Sequence, residues 1–195
     1  MTAAIDDTAP RPGAADDEEA ARAGVAVAAQ ALMSACLAAD VMLCTAESCT
    51  GGMISAALID IAGSSAVIDR GFVTYSNFAK AAHLGVPKRM LVTEGAVSEA
   101  VARAMAEGAL NATAETNPKV RLALAVTGIA GPGGGTADKP EGRVHFAAAH
   151  RSEEGSVQTA HVMRDYGPLG RMAVRQASAA QALSLAQHLL ENASA

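Results

Sequence analysis

Side chains able to do covalent chemistry gather in two short stretches of this chain. The first, Cys44-Thr-Ala-Glu-Ser-Cys-Thr-Gly-Gly52, offers Ser48 and Cys49 as nucleophiles just ahead of two glycines. The second, Tyr75-Ser-Asn-Phe-Ala-Lys80, offers a phenol and an amine. A serine needs a base before it attacks a carbonyl, and the usual base is histidine. His83, His145, His150, His161 and His188 have no spacing that singles one out. Lysine serves equally if its pKa falls from about 10.4 to roughly 7 or 8, and burial together with the positive end of a helix pushes it that way. Lys80 has that placement if a helix starts near Asn77; the plain alternative is a surface lysine on a short helix. Thiolates are intrinsically better nucleophiles and a helix start lowers their pKa, so residue chemistry alone leaves Ser48 and Cys49 level.

The N–H groups of Thr50, Gly51 and Gly52 would make an anion site, an oxyanion hole, beside Ser48. Equally, Ser48 and Thr50 could do no more than cap a helix while the glycines make the bend. Tyr75 could relay a proton or hydrogen-bond the nucleophile or base, or sit on an edge strand with its hydroxyl in water. Glu47 could orient Lys80, bind a polar substrate group, or act only as a helix-dipole partner. Thr127-Gly128 opens a long glycine-rich loop reaching Gly142, and Gly131 and Gly135 within it would let backbone N–H groups approach a phosphate. Gly134 stands where a Walker loop requires lysine, and the dinucleotide fingerprint is absent as well. Lys139 could meet a phosphate as a point charge, while Arg171 and Arg175, one turn apart, could grip it bidentately. Solvated cations and a flexible connector are the bland alternatives. Substrate contacts are therefore sought at Glu47, Asn77, Thr127, Gly128, Gly131, Gly135, Lys139 and Arg175. No His, Cys or Glu cluster has metal-ligand spacing, so no catalytic metal is expected.

The elements that must hold these residues follow from periodicity. Residues 1–16 mix Ala, Thr, Asp, Pro and Gly without a repeat and read as a solvated tail, leaving a single domain over 17–192. A helix from Asp17 to about Ala39 comes next, then a short buried strand at Val41–Cys44, a turn, and a helix starting after Gly52. Val67–Tyr75 reads as a strand whose Gly71 marks a bulge or a close backbone approach. Ser76 or Asn77 caps a short helix ending at Leu84, and Ser98–Thr113 forms a longer one with Glu99, Arg103 and Glu107 on its wet face. Val120–Thr127 is apolar enough to be buried on both faces. Arg143–His150 and Val157–Arg164 flank the polar turn Ser152-Glu-Glu-Gly155 as a hairpin, and a last helix spans about Leu169–Glu191. Strands alternating with helices before a hairpin predict a three-layer α/β/α sandwich around a mixed sheet.

Length allows one substantial core, and with half the residues apolar but three Phe, two Tyr and no Trp, that core rests on Ala, Val, Leu, Ile and Met. A net charge of −5 without any Lys/Arg run argues against a nucleic-acid partner. Three cysteines, two of them in apolar segments, fit a reducing cytoplasm better than a disulfide framework. Asp6, Asp7, Pro10 and Pro12 do not read as a secretory leader. The uncharged run Ala26–Ala39 is too short and too weakly hydrophobic to predict a membrane span.

Taken together, Thr45-Ala-Glu-Ser-Cys-Thr-Gly-Gly52, Asp60-Ile-Ala-Gly-Ser-Ser65, Arg70-Gly-Phe-Val-Thr-Tyr-Ser-Asn77, Gly95-Ala-Val-Ser98 and Thr127-Gly-Ile-Ala-Gly-Pro132 resemble, in order and spacing, the CinA C-terminal domain family. The resemblance covers about residues 24–190 and is to the family's stand-alone form. It implies a nicotinamide mononucleotide amidohydrolase of pyridine-nucleotide salvage, without a cofactor, giving nicotinic acid mononucleotide and ammonia. It further implies Ser48 as nucleophile, Lys80 as base with Tyr75 beside it, and self-association as a trimer. Phe78 stands where many relatives carry an acidic residue, a departure expected to change the polarity near Lys80, and Tyr166-Gly-Pro-Leu-Gly-Arg171 departs from a Gly-Asp-Arg pattern. Two other readings are a Cys49-dependent amidase and a non-catalytic nucleotide-binding or competence-associated interaction module.

Overall fold

The structure is a computed structural model and describes residues 14–193. Residues 1–13 of the expected tail lie outside the described residues, and 14–16 already belong to the first helix, α1 (Ala14–Ala38). The strands are β1 (Met42–Glu47), β2 (Ile68–Val73), β3 (Val120–Gly128), β4 (Arg143–Arg151) and β5 (Val157–Asp165). The remaining helices are α2 (Met53–Ile59), α3 (Asn77–Leu84), α4 (Lys88–Thr93), α5 (Glu99–Ala114) and α6 (Arg171–Ala193).

The five strands lie in the order β2-β1-β3-β4-β5. β1 runs parallel to both β2 and β3, whereas β3 with β4 and β4 with β5 are antiparallel, so the sheet is mixed as expected. Its two faces are chemically unlike. Leu43, Leu122, Leu124, Val126 and Phe146 meet Leu32 of α1, Ile54 and Leu58 of α2 and Leu183 of α6. On the other face Cys44, Ala46, Ala123, Ala125 and Ala147 meet Leu84 of α3, Leu91 of α4 and Met105 and Ala109 of α5. Small residues on that second face let α5 come close to the sheet, which gives the three layers. One described segment, Glu19–Ala38, is long and apolar enough to cross a membrane. Here it packs along α6, with Val25, Ala29, Leu32, Met33 and Cys36 in the core.

Two local differences from the sequence reading bear on the site. The small and polar run Thr45-Ala46-Glu47 continues β1 to Glu47, because both neighbouring strands pair with it and all three residues are buried. A helix, α4, also follows Pro87, where none was expected. Gly71 is a close approach: a Cβ there would lie 2.3 Å from Ser55 Oγ and 2.9 Å from Thr45 Oγ1.

Candidate active site

β1 is flanked in the sheet by β2 on one side and β3 on the other, so its carboxyl end is a switch point, the place where open α/β sheets put their ligands. Ser48 follows directly, and its N–H donates to Val126 O of β3 at 3.0 Å. Gly51 and Gly52 then adopt φ +61° and +94°, left-handed conformations that let the chain reverse into α2. Beneath the turn lies the fully buried Glu47. Its carboxylate accepts from the N–H groups of Gly52 (2.9 Å), Ile54 (3.1 Å) and Ser55 (2.9 Å), and from Ser55 Oγ (2.8 Å). Glu47 thus caps α2 and fixes the serine turn from below, and it neither orients Lys80 nor presents itself to a ligand. The same bonds correct the oxyanion assignment. The Gly52 N–H is spent on Glu47 and the Gly51 N–H on Ser48 O (3.2 Å), which leaves the Thr50 N–H as the one of the three without a partner among the described residues.

The amine reaches the same point from the other side of the sheet. Ser76 caps α3 by accepting from the Ala79 N–H at 3.0 Å, and the first turn of that helix directs Lys80 inward. Lys80 Nζ lies 2.9 Å from Ser48 Oγ and donates to Thr74 O (2.7 Å) and Tyr75 O (3.3 Å). Ser48 is 6% exposed and Lys80 1%. Loss of hydration pulls the amine down to about 8, poised for proton exchange at neutral pH. Burial acts oppositely on the neighbouring thiol, pushing Cys49 up to about 11. Geometry and protonation both separate Ser48 from Cys49, which residue chemistry left level.

The remaining candidates fall around this pair in ways the sequence did not foretell. The Tyr75 side chain is 66% exposed, and its hydroxyl accepts from Arg171 Nη2 at 3.3 Å, so only its main-chain carbonyl touches Lys80. A proton relay through its phenol is not what this geometry offers. Asn77 is exposed at the first position of α3. Phe78, 76% exposed, lies two residues before Lys80 and so on the opposite side of the helix, where it does not alter the polarity around the amine. Thr127 Oγ1 donates to Ala96 O (2.8 Å), tying β3 to the segment before α5.

In the glycine-rich loop, Gly131 (φ +73°) and Gly135 close against Glu141, whose Oε2 accepts from the Gly133 N–H at 2.7 Å. Gly128 closes instead against β4, since a Cβ there would lie 2.6 Å from Val144 Cγ2. The cations expected to grip a phosphate hold carbonyls instead. Arg175 donates to Cys49 O (3.1 Å) and Thr50 O (2.8 Å), Arg171 to Gly131 O (2.8 Å), and Lys139 to Glu94 O. Arg175 is therefore a positioning residue for the serine turn, and Arg171, exposed at the mouth, is the cation the sequence undervalued. Its signal was placement just inside the start of the last helix after Gly167-Pro168. Among the described residues no group of three His, Cys, Asp or Glu side chains could hold a metal ion. His145 and His161 do stack, with Nδ1 and Nε2 at 3.1 Å, but on β4 and β5, two and three strands from β1.

Comparison with known proteins decides the lineage, since the model of the CinA C-terminal domain matches residues 25–190. The chain belongs to the CinA C-terminal domain family. The competence/damage inducible protein CihA of Agrobacterium tumefaciens superposes with a TM-score of 0.76 at 45% identity, covering 86% of this chain and 96% of that one. A competence damage-inducible protein A of Klebsiella pneumoniae superposes at 0.75 with 33% identity, covering 87% and 97%. In sequence, a putative competence-damage inducible protein of Symbiobacterium thermophilum is 54% identical over 58% of this chain, which spans a quarter (25%) of that relative's length. A protein of Escherichia coli K12 named nicotinamide-nucleotide amidohydrolase PncC is 47% identical over 76% of this chain and 84% of its own.

Proposed function

We propose that this CinA domain hydrolyses the carboxamide of nicotinamide mononucleotide through an ester on Ser48. One observation carries the reading: an amine held near pKa 8 stands 2.9 Å from a hydroxyl at the carboxyl end of the sheet, in a pair almost closed to water. The likeness to the amidohydrolase of Escherichia coli supports the substrate. At pH 7 about one tenth of Lys80 is neutral. Neutral Nζ takes the Ser48 proton as Oγ bonds to the carboxamide carbon, and the carbonyl oxygen becomes an oxyanion facing the Thr50 N–H. One such donor is worth about 3 to 4 kcal/mol in the transition state. The C–N bond then breaks, and ammonia leaves with the proton returned by Lys80. Water, deprotonated by the same amine, attacks the ester, and Ser48 regains its proton as the carboxylate departs. The cationic pyridinium ring withdraws electrons from the carboxamide throughout. Arg171 also donates to Gly131 O and the Tyr75 hydroxyl, and its exposure at the mouth supports it as the cation that meets the phosphate. Self-association as a trimer belongs to the same reading and is measured by sedimentation.

Ammonia release from the mononucleotide by wild type and Ser48→Ala, side by side, tests the proposal. Release by wild type alone is expected. A folded wild type that binds the mononucleotide and yields no ammonia defeats it in favour of a binding module.

A further inference from the structure

The first helix buries one side and leaves the other bare. Val25, Ala29, Leu32, Met33 and Cys36 of α1 face the core, while Ala20, Ala23, Val27, Gln30, Ser34 and Leu37 are all exposed. The exposed set steps along the helix by three, four, three, four and three residues, the spacing of a coiled-coil seam. It carries two large aliphatic side chains, Val27 at 71% and Leu37 at 54% exposure. No charged residue stands between Arg22 and Asp40, and the Ser34 hydroxyl is spent inside the helix, donating to Gln30 O at 2.9 Å. Glu19–Ala38 is as apolar as a membrane span yet only 28% buried, so most of it lacks a cover. Helices that lie on a lipid surface combine Lys or Arg with bulky apolar groups. Residues 23–39 hold no Lys, Arg or aromatic side chain, which points to protein as the cover.

We propose that this face of α1 pairs with the same face of a second copy of the chain, the two helices running antiparallel about a two-fold axis at Gln30. With that centre, Ala23 of each copy meets Leu37 of the other, and Val27 of each meets Ser34 of the other. Every such layer sets one branched side chain against a small one, so bulk is matched along the seam. At the axis the two Gln30 amides face each other and exchange two hydrogen bonds, a polar pair that fixes the register. A parallel pair would instead stack Leu37 on Leu37 and Ala23 on Ala23, alternating crowding with void. From Ala20 to Leu37 the seam runs about 26 Å. Such a contact buries on the order of 1,000 Å², the lower bound for a specific interface, and a micromolar association is expected. Because the contact is isologous, it turns a monomer into a dimer and a trimer into a hexamer.

The test reads association alone and does not depend on the amidase reading. Sedimentation of the full chain from about 1 to 200 μM should show a doubling of mass. Val27→Glu, a change on the bare face, should weaken that doubling at least about tenfold and leave the urea midpoint in place. A double variant, Val27→Cys with Ser34→Cys, should form a covalent dimer under oxidised glutathione. Either cysteine alone should not, since like positions of an antiparallel pair lie about 10 Å apart along the axis. The native cysteines, each at most 5% exposed, stay out of reach. No doubling at 200 μM, doubling indifferent to Val27→Glu, or single cysteines that cross-link as well as the double variant would overturn the proposal. So would flotation with phosphatidylglycerol vesicles that is lost in Val27→Glu, since lipid would then be the cover.

Discussion

Replacing Lys80 with methionine keeps most of the bulk and removes the charge, which turns the strained amine into a measurable stability difference. In the folded chain the ammonium loses its proton at about 8, against an ordinary 10.5, because burial strips its hydration. The unfolded chain thus holds more protons across that interval, and wild-type stability rises with pH between the two values. Below about pH 8 the wild type carries the whole handicap, up to about 3 kcal/mol. Methionine carries none at any pH. Groups common to both proteins cancel in the comparison, so the stability of Lys80→Met relative to wild type should fall by up to about 3 kcal/mol from pH 7.5 to 10.5. What remains at the upper end reflects the lost bonds to Thr74 O and Tyr75 O. Urea titrations at half-unit pH steps read it directly. In the same window wild-type kcat/KM should climb with pH and level off above about 8, while the variant loses activity on the order of a hundredfold to ten-thousandfold. A stability difference that stays flat from pH 7.5 to 10.5 would refute the strained amine, and with it the base assigned to Ser48.

Other substitutions probe the surrounding parts. Cys49→Ala should keep most ammonia release and its pH profile, since the thiol is held near 11; abolished turnover in a folded protein would reinstate sulfur chemistry. Glu47→Ala strands the N–H groups of Gly52, Ile54 and Ser55 and should cost about 3 to 5 kcal/mol by urea unfolding, a loss under about 1 kcal/mol being inconsistent with its capping role. Gly108→Ala would ordinarily favour a helix by about 1 kcal/mol. Here its Cβ would fall 1.9 Å from Leu84 O at the end of α3, so a net loss of at least about 2 kcal/mol is expected in thermal or urea unfolding.

Much of this was legible in the residues because it is local. The strand, glycine turn and helix around Ser48, a cap at Ser76 or Asn77, a helix beginning about Ser98, and the apolar run of β3 follow from composition and spacing alone. Gly71 as a close approach was equally readable, since glycine inside a strand has few other uses. What failed depended on partners distant in sequence. Thr45-Ala46-Glu47 looks like loop chemistry, and only pairing with β2 and β3 makes it strand, which turns Glu47 from a ligand contact into a cap. Lys139 and Arg175 have the charge for an anion, yet carbonyls from other elements claim them first.

Apart from the Arg171 bond to the Tyr75 hydroxyl, the ties that Lys139, Arg171 and Arg175 make around the mouth end on main-chain oxygens: those of Cys49, Thr50, Glu94 and Gly131. Every amino acid supplies a carbonyl, so the acceptor positions can drift without loosening the stitching, except Gly131, where φ and Glu141 leave no space for a side chain. Lys139, Arg171 and Arg175 enjoy no such freedom. Under selection the rim should therefore tolerate changes of wall and resist changes of thread.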